Sequence, residues 1–159
     1  LGKVQLQLLK QNARLSNAEL AVMMGKTEAE VAAEITELER AGVIRGYSVI
    51  LDEELADHDA VSAYIELKIT PKPDSGFDEL AKTVMAYDEV ESVTLMSGGY
   101  DLGLTVTGYS LRDIAAFVAQ RLSALDGVLS TTTHFVLKRY KDKGISILDE
   151  QSDERGVYL

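Results

Sequence analysis

Cysteine is absent from this 159-residue chain, and only two prolines and two histidines occur in it. Without cysteine there can be no disulfide, no thiolate metal ligand and no cysteine nucleophile. The scarcity of proline, with no low-complexity tract, excludes extended disorder as the general state of the chain. Long apolar runs are missing as well. Lys, Glu, Asp or Gly breaks every stretch before it reaches the roughly 18 residues that a bilayer crossing needs. The opening LGKVQLQLLKQ does not have the layout of a signal peptide. A cytoplasmic protein without membrane association is therefore expected. Catalytic signatures are also lacking: there is no P-loop, no G-x-S-x-G and no histidine beside a candidate nucleophile. With so few histidines, a metal site would have to be all-carboxylate, and no spacing suggests one. The expectation is no enzyme, no metal and no cofactor.

What the chain does contain is apolar residue, at 46%, enough for one ordinary domain or two small ones with a buried core. Its net charge of −10 is unevenly placed. In residues 1–50 six cations balance six glutamates, so the whole excess falls in residues 51–159. Nucleic-acid binding normally draws on a basic footprint, because counterion release supplies most of the non-specific affinity. A neutral first third is a weak footprint of that kind.

Three short helices are predicted first. Val4, Leu6, Leu8 and Leu9 share one face of residues 2–13. Ser16 and Glu19 form a capping box ahead of a helix with a Leu20, Met23 and Met24 stripe, stopped by Gly25. Thr27 and Glu30 repeat that device ahead of a third helix, whose core face is Val31, Ile35 and Leu38 and whose stop is Gly42. The turn between the second and third helices is about three residues, which is helix-turn-helix spacing. VIRGYSVIL then reads as a wing strand. On this plan residues 1–51 are a winged helix-turn-helix and the acidic stretch 52–60, including a solvated His58, is a linker.

From residue 61 the pattern changes to period two. Val61, Ala63, Ile65, Leu67 and Ile69 share one face of a strand; Ser62, Tyr64, Glu66, Lys68 and Thr70 share the other. A helix striped by Phe77, Leu80, Ala81 and Val84 follows, then two strands around SGGYD. A helix striped by Leu111, Ile114, Val118 and Leu122 leads to a last strand, VLSTTTHFVLK. The order βαββαβ over residues 61–140 predicts a ferredoxin-like fold, so the fold class is α+β. One sheet face carries the helices. The other offers Tyr64, Met96, Val136 and several threonines, and a partner sheet is expected to cover it. Residues 141–159 form a charged tail, whose apolar run Ile145, Ile147 and Leu148 suits an arm.

LSNAELA, LERAGVIRGYSVIL, SGGYDLGLTV and GVLSTTTHFVLKRYK together make the chain resemble the leucine-responsive and asparagine-synthetase regulators, the Lrp/AsnC or feast/famine transcription factors. The resemblance runs from Leu1 to about Lys138. It implies a winged helix-turn-helix that binds double-stranded DNA, joined to a ferredoxin-like domain that dimerises through its sheet. It also implies that dimers assemble further, often into octameric rings. A small effector, often an amino acid, would bind near the Gly-x-Tyr-Asp loop.

Candidate residues follow. On the third helix Thr27, Ala29, Ala33, Thr36, Glu37 and Arg40 would face the groove, with Lys26 and Arg45 on phosphates. For the effector, Gly98 and Gly99 allow backbone amides near a carboxylate, and Tyr100 and Asp101 stand beside them. The plainer reading is a turn that needs glycine, with Asp101 bonding to backbone. Thr132 and His134 lie on the dimer face, where β-propensity and an interface histidine are the plain explanation. The third helix departs from the family by carrying Glu28, Glu30, Glu34, Glu37 and Glu39 against one arginine, Arg40. Helix capping and the helix dipole account for Glu28 and Glu30 but leave Glu34 and Glu37 unexplained. An alternative function follows from those charges: a ligand-sensing member with weakened DNA binding that acts by co-assembling with DNA-binding paralogues.

Overall fold

The computed structural model describes residues 2–148 and divides the chain into two compact units. One contains the N-terminal residues to Leu51 together with the chain from Tyr140 on; the other spans Asp52–Arg139.

In the first unit, α1 (Lys3–Gln11), α2 (Asn17–Met24) and α3 (Glu28–Arg40) enclose a small core. Both predicted capping boxes form, Ser16 with Glu19 and Thr27 with Glu30. Gly25 takes the left-handed conformation at φ 65°, which ends α2 and leaves Lys26 to complete the turn before the Thr27 cap. Leu9, Leu20, Ala21 and Val31 are buried together, flanked by Leu8, Leu15, Met24, Ile35 and Ile44.

Two sequence expectations fail here, both by one step of helical phase. In α1 the inward row is Gln5–Leu8–Leu9, at spacings of three and four, so Val4 is rotated out and 63% exposed. In α2 the row is Leu20–Ala21–Met24, which leaves Met23 57% exposed. Gln5 is consequently buried completely. Its amide donates to the Val31 carbonyl at 3.5 Å, while its Oε1 has no partner among the described residues. A buried acceptor without a donor costs about 1–3 kcal/mol. Gln5→Met, similar in volume, is therefore expected to stabilise the protein by about 1 kcal/mol, read as a higher urea midpoint at unchanged slope. A lower midpoint would show that Oε1 is satisfied by water.

The expected wing strand is not formed. Residues 43–51 form no helix and belong to no ladder among the described residues. β-propensity describes how side chains fit a sheet, and without a paired strand it creates none. A hairpin occurs instead near the other end of the chain, β5 (Lys141–Asp142) with β6 (Ile145–Ser146), in this same unit. The remainder of the expected arm, residues 149–159, lies outside the described residues.

The second unit opens with the one-turn helix α4 (Glu53–Ala56), capped by Asp52, inside the stretch expected as linker. It continues with β1 (Val61–Ile69), α5 (Asp78–Met85), β2 (Val90–Leu95), β3 (Leu102–Gly108), α6 (Leu111–Phe117) and β4 (Val128–Phe135). The strands form one antiparallel sheet in the order β2-β3-β1-β4, the ferredoxin-like arrangement. Ala63, Ile65, Leu67 and Ile69 of β1 meet Leu102, Leu104 and Val106 of β3 in a core closed by Val84 of α5 and Ile114 and Phe117 of α6. The helix α6 passes into a π turn over Val118–Leu122, closed by the Ser123 N–H donating to the Val118 carbonyl at 2.8 Å. That i→i+5 step widens the turn and brings Leu122 beneath Val118, both buried. Leu111, expected in this stripe, is the first helical residue and is 56% exposed; Phe117 takes the place in the core.

Candidate functional site

The candidate reading face of the first unit is α3. Ala29, Ala33, Thr36, Glu37 and Arg40 are all exposed on it, as are Lys26 and Thr27 before it and Arg45 after it. Four of these are already engaged. The Thr27 hydroxyl accepts from the Glu30 N–H at 3.2 Å, and the Glu30 carboxylate accepts from the Thr27 N–H at 3.4 Å. Lys26 pairs with Glu34. Arg40 donates through Nε to Glu37 at 2.9 Å and through Nη2 at 2.5 Å, a two-point contact. That contact pulls the Glu37 carboxyl below its usual range and raises the Arg40 guanidinium. The two glutamates left unexplained by capping thus hold the two cations nearest the reading face. Arg45 lies close over Gly42, where an added Cβ would stand 3.2 Å from its Cζ.

The candidate effector residues lie on the second unit. After β2 the chain turns through Ser97–Gly98–Gly99–Tyr100, with Gly98 at φ 153°. A Cβ added at either glycine would meet nothing within 4 Å, so this turn faces open space. Asp101 fixes it from below. Its carboxylate accepts the Ile69 N–H at 2.8 Å, its N–H donates to the Leu67 carbonyl at 2.9 Å, and its carbonyl accepts the Met96 N–H at 2.8 Å. The aspartate therefore clamps the end of β1 to the β2–β3 turn, with Oδ2 as the engaged carboxylate oxygen.

Tyr100 leads from this turn onto the helix-free sheet face. Its hydroxyl meets that of Tyr64 at 2.6 Å, and the two rings meet edge to face with centroids 6.1 Å apart. The hydrogen bond with Tyr100, followed by burial and the neighbouring Tyr100 and Glu66 charges, pushes the Tyr64 phenol up to about 12. Tyr64 stands opposite His134 on β4, ring centroids 6.5 Å apart, and opposite Thr105 on β3. Glu66 stands opposite Thr132 and Gly103, and its carboxylate lies 3.2 Å from His134 Nε2. The sheet register thus links Tyr100 to His134 through Tyr64, and Thr132 to His134 through Glu66. Gly98 and Gly99 stay at the rim of this cluster.

Tyr64 and Glu66 were not among the residues singled out from sequence. Their alternation put them on the right face, but only the register says which threonine or histidine each one meets. A groove of about 800 Å³ lies elsewhere on this unit, lined by Thr70, Pro71, Leu80 and Gly127 and bridged by an ion pair of Lys72 with Glu79 at 2.9 Å. It contains none of the candidate residues. No helix among the described residues is long and apolar enough to cross a membrane.

Both units have counterparts in known proteins. Residues 6–45 match the winged helix-turn-helix DNA-binding family, and residues 62–145 match the Lrp/AsnC ligand binding domain. An uncharacterized HTH-type transcriptional regulator of Bacillus subtilis, YugG, is 44% identical over 97% of this chain and 93% of its own length. The leucine-responsive regulatory protein of Haemophilus influenzae is 27% identical over 88% and 84%. Among solved structures, a transcriptional regulator of Neisseria meningitidis in complex with L-Met is 28% identical with a TM-score of 0.70, covering 86% of this chain and 87% of that one. Escherichia coli AsnC shares the fold at a TM-score of 0.65 and 22% identity, over 84% and 88% of the two chains. A helix-turn-helix with an exposed α3, a ferredoxin-like domain with an open polar turn, and family matches over both place this chain in the Lrp/AsnC family of DNA-binding transcriptional regulators, which are not enzymes.

Proposed function

We propose that this regulator binds a free amino acid at the Gly98–Asp101 turn, and that occupancy changes its DNA affinity or its assembly. The observation that carries this reading is the open turn, rigidly held by Asp101 and joined through Tyr100 to a polar cluster of Tyr64, Glu66, Thr132 and His134. Backbone amides at Gly98 and Gly99 suit an α-carboxylate, while Glu66 and the free oxygen of Asp101 suit an ammonium group. The L-Met complex of the Neisseria relative supports an amino acid as the class of effector.

On the same reading the exposed sheet face pairs with that of a second copy, and homodimers associate further into octamers. Ala29, Ala33, Thr36, Glu37 and Arg40 face the major groove, and Lys26 and Arg45 reach phosphates. Multiple dimers compensate for weak single sites, since linked sites bind with a high effective concentration. The co-assembly alternative draws no support from the relatives, which are named as regulators in their own right.

Mass by light scattering and retardation of the protein's own upstream DNA, each across a panel of amino acids, test the proposal. At least one amino acid is expected to shift mass or midpoint severalfold, and Tyr100→Phe to weaken that response without unfolding the chain. A flat response to all of them, with DNA binding intact, would refute the effector assignment.

A further inference from the structure

The α3 surface offers little unpaired positive charge to duplex DNA. It carries five glutamates, and both Lys26 and Arg40 are paired with two of them. Residues 43–51, expected as a wing strand, form no ladder among the described residues. The same compact unit nevertheless contains one hairpin, β5–β6, built from residues far along the chain.

That hairpin is basic in an acidic protein. Its residues 141–146 read KDKGIS, two cations against one aspartate in a chain of net charge −10. Lys141 and Lys143 are exposed and have no ion pair among the described residues. At the tip Lys143 has φ 47° and Gly144 φ 85°. Two consecutive residues with positive φ make the tight hairpin turn that asparagine, aspartate or glycine normally fills. Lysine is a poor choice on local grounds, since its Cβ is crowded in the left-handed conformation. Lys143 is exposed there, with no side-chain hydrogen bond or ion pair among the described residues to offset that crowding. The ligand-binding family match runs only to residue 145, within this hairpin, and the DNA-binding match ends at 45.

We infer that the β5–β6 hairpin is a wing that contacts the phosphate backbone of duplex DNA, with Lys141 and Lys143 as its phosphate ligands. This rests on the chain's being a DNA-binding regulator and adds a second contact site to it. The hairpin supplies sequence-independent affinity, while the α3 face supplies discrimination.

The test is fluorescence polarisation of full-length protein on a mixed-sequence duplex over ~50–200 mM salt, where each phosphate contact contributes about 0.9 to the slope of log affinity against log salt. The variant is Lys141→Gln/Lys143→Asn, because asparagine suits the left-handed tip and keeps the turn. Its slope is expected to fall by about 2, and its affinity near ~0.1 M salt to drop tens of fold. Lys143→Arg should bind like the unaltered protein. Lys82→Gln/Arg112→Gln, which changes net charge equally on the other unit, should leave the slope nearly unchanged. An unaltered slope in the hairpin variant, with the parent protein binding normally, overturns the wing and leaves the family function intact. An equal loss in the Lys82/Arg112 variant also overturns it, because bulk charge would then be the cause. No binding by the parent at any salt would overturn the DNA-binding reading itself and the wing with it.

Discussion

Replacing Glu34 and Glu37 together with glutamine is expected to raise non-specific DNA affinity about tenfold at ~0.1 M salt. Each glutamate holds one cation, Lys26 or Arg40, on the exposed surface of the reading unit. Such surface pairs are individually weak, because solvent screens them. A phosphate must overcome that pairing before it can engage the cation, and must then approach the carboxylate that remains. Glutamine removes both obstacles while keeping the side-chain length and helix propensity. Glu34 has a further reason to yield, because its Oε2 is buried with no partner among the described residues. The control is Glu28→Gln/Glu39→Gln, which removes the same charge from α3 but frees no paired cation. If both double variants gain equally, the glutamates act by bulk charge and the ion pairs are incidental. If neither gains, α3 does not dock on DNA. Filter binding on mixed-sequence duplex, with thermal melts to verify the fold, distinguishes these outcomes.

The two pairs also answer how an acidic α3 belongs to a DNA-binding family. Cations that are pre-paired lose little by staying in water, so weak, non-specific contact with DNA is suppressed. A site that offers its own compensation for both carboxylates, such as cytosine amino groups for Glu37, loses less. Specificity as a difference of affinities gains from this kind of self-neutralisation.

Much of the fold was legible in the sequence because its signals are local. Ser16 with Glu19 and Thr27 with Glu30 are read at a spacing of three, and both caps form. The period-two run from Val61 to Ile69 fixed the inner face of the central strand, and the ferredoxin-like order followed from the alternation of elements. What failed was phase and partnership. Val4, Met23 and Leu111 are each apolar and near a core stripe, yet one helical step or one turn places them in solvent. Gln5 is buried because its row faces α3, which composition cannot reveal. The pairs Lys26–Glu34, eight residues apart, and Tyr64–Tyr100, across the sheet, depend on distances that only the folded chain sets. The effector-side cluster shows the same division: Tyr100 and Asp101 stood out as a motif, while Tyr64 and Glu66 entered through register.

Gly103→Ala is expected to destabilise the protein by about 2 kcal/mol and to abolish any effector response at the same time. Gly103 is the second residue of β3, and glycine within a strand weakens it unless something lies close above it. Here that is Tyr64. An added Cβ would stand 2.1 Å from its hydroxyl oxygen, 2.8 Å from Cζ and 3.3 Å from Cε2. The ring must therefore swing off the sheet, breaking the 2.6 Å bond to Tyr100 and leaving its place opposite His134. Tyr100 then loses the partner that orients it beside the Gly98–Gly99 turn. The clash is relieved when the ring is removed, so Tyr64→Leu/Gly103→Ala should be scarcely less stable than Tyr64→Leu alone. A coupling of about 1–2 kcal/mol between the two sites is the expected signature in a double-mutant cycle by urea unfolding. Strictly additive losses would mean that Tyr64 does not lie over Gly103 in solution. Wild-type amino-acid sensitivity in Gly103→Ala would mean that the tyrosine pair is a structural feature of the sheet face and takes no part in sensing.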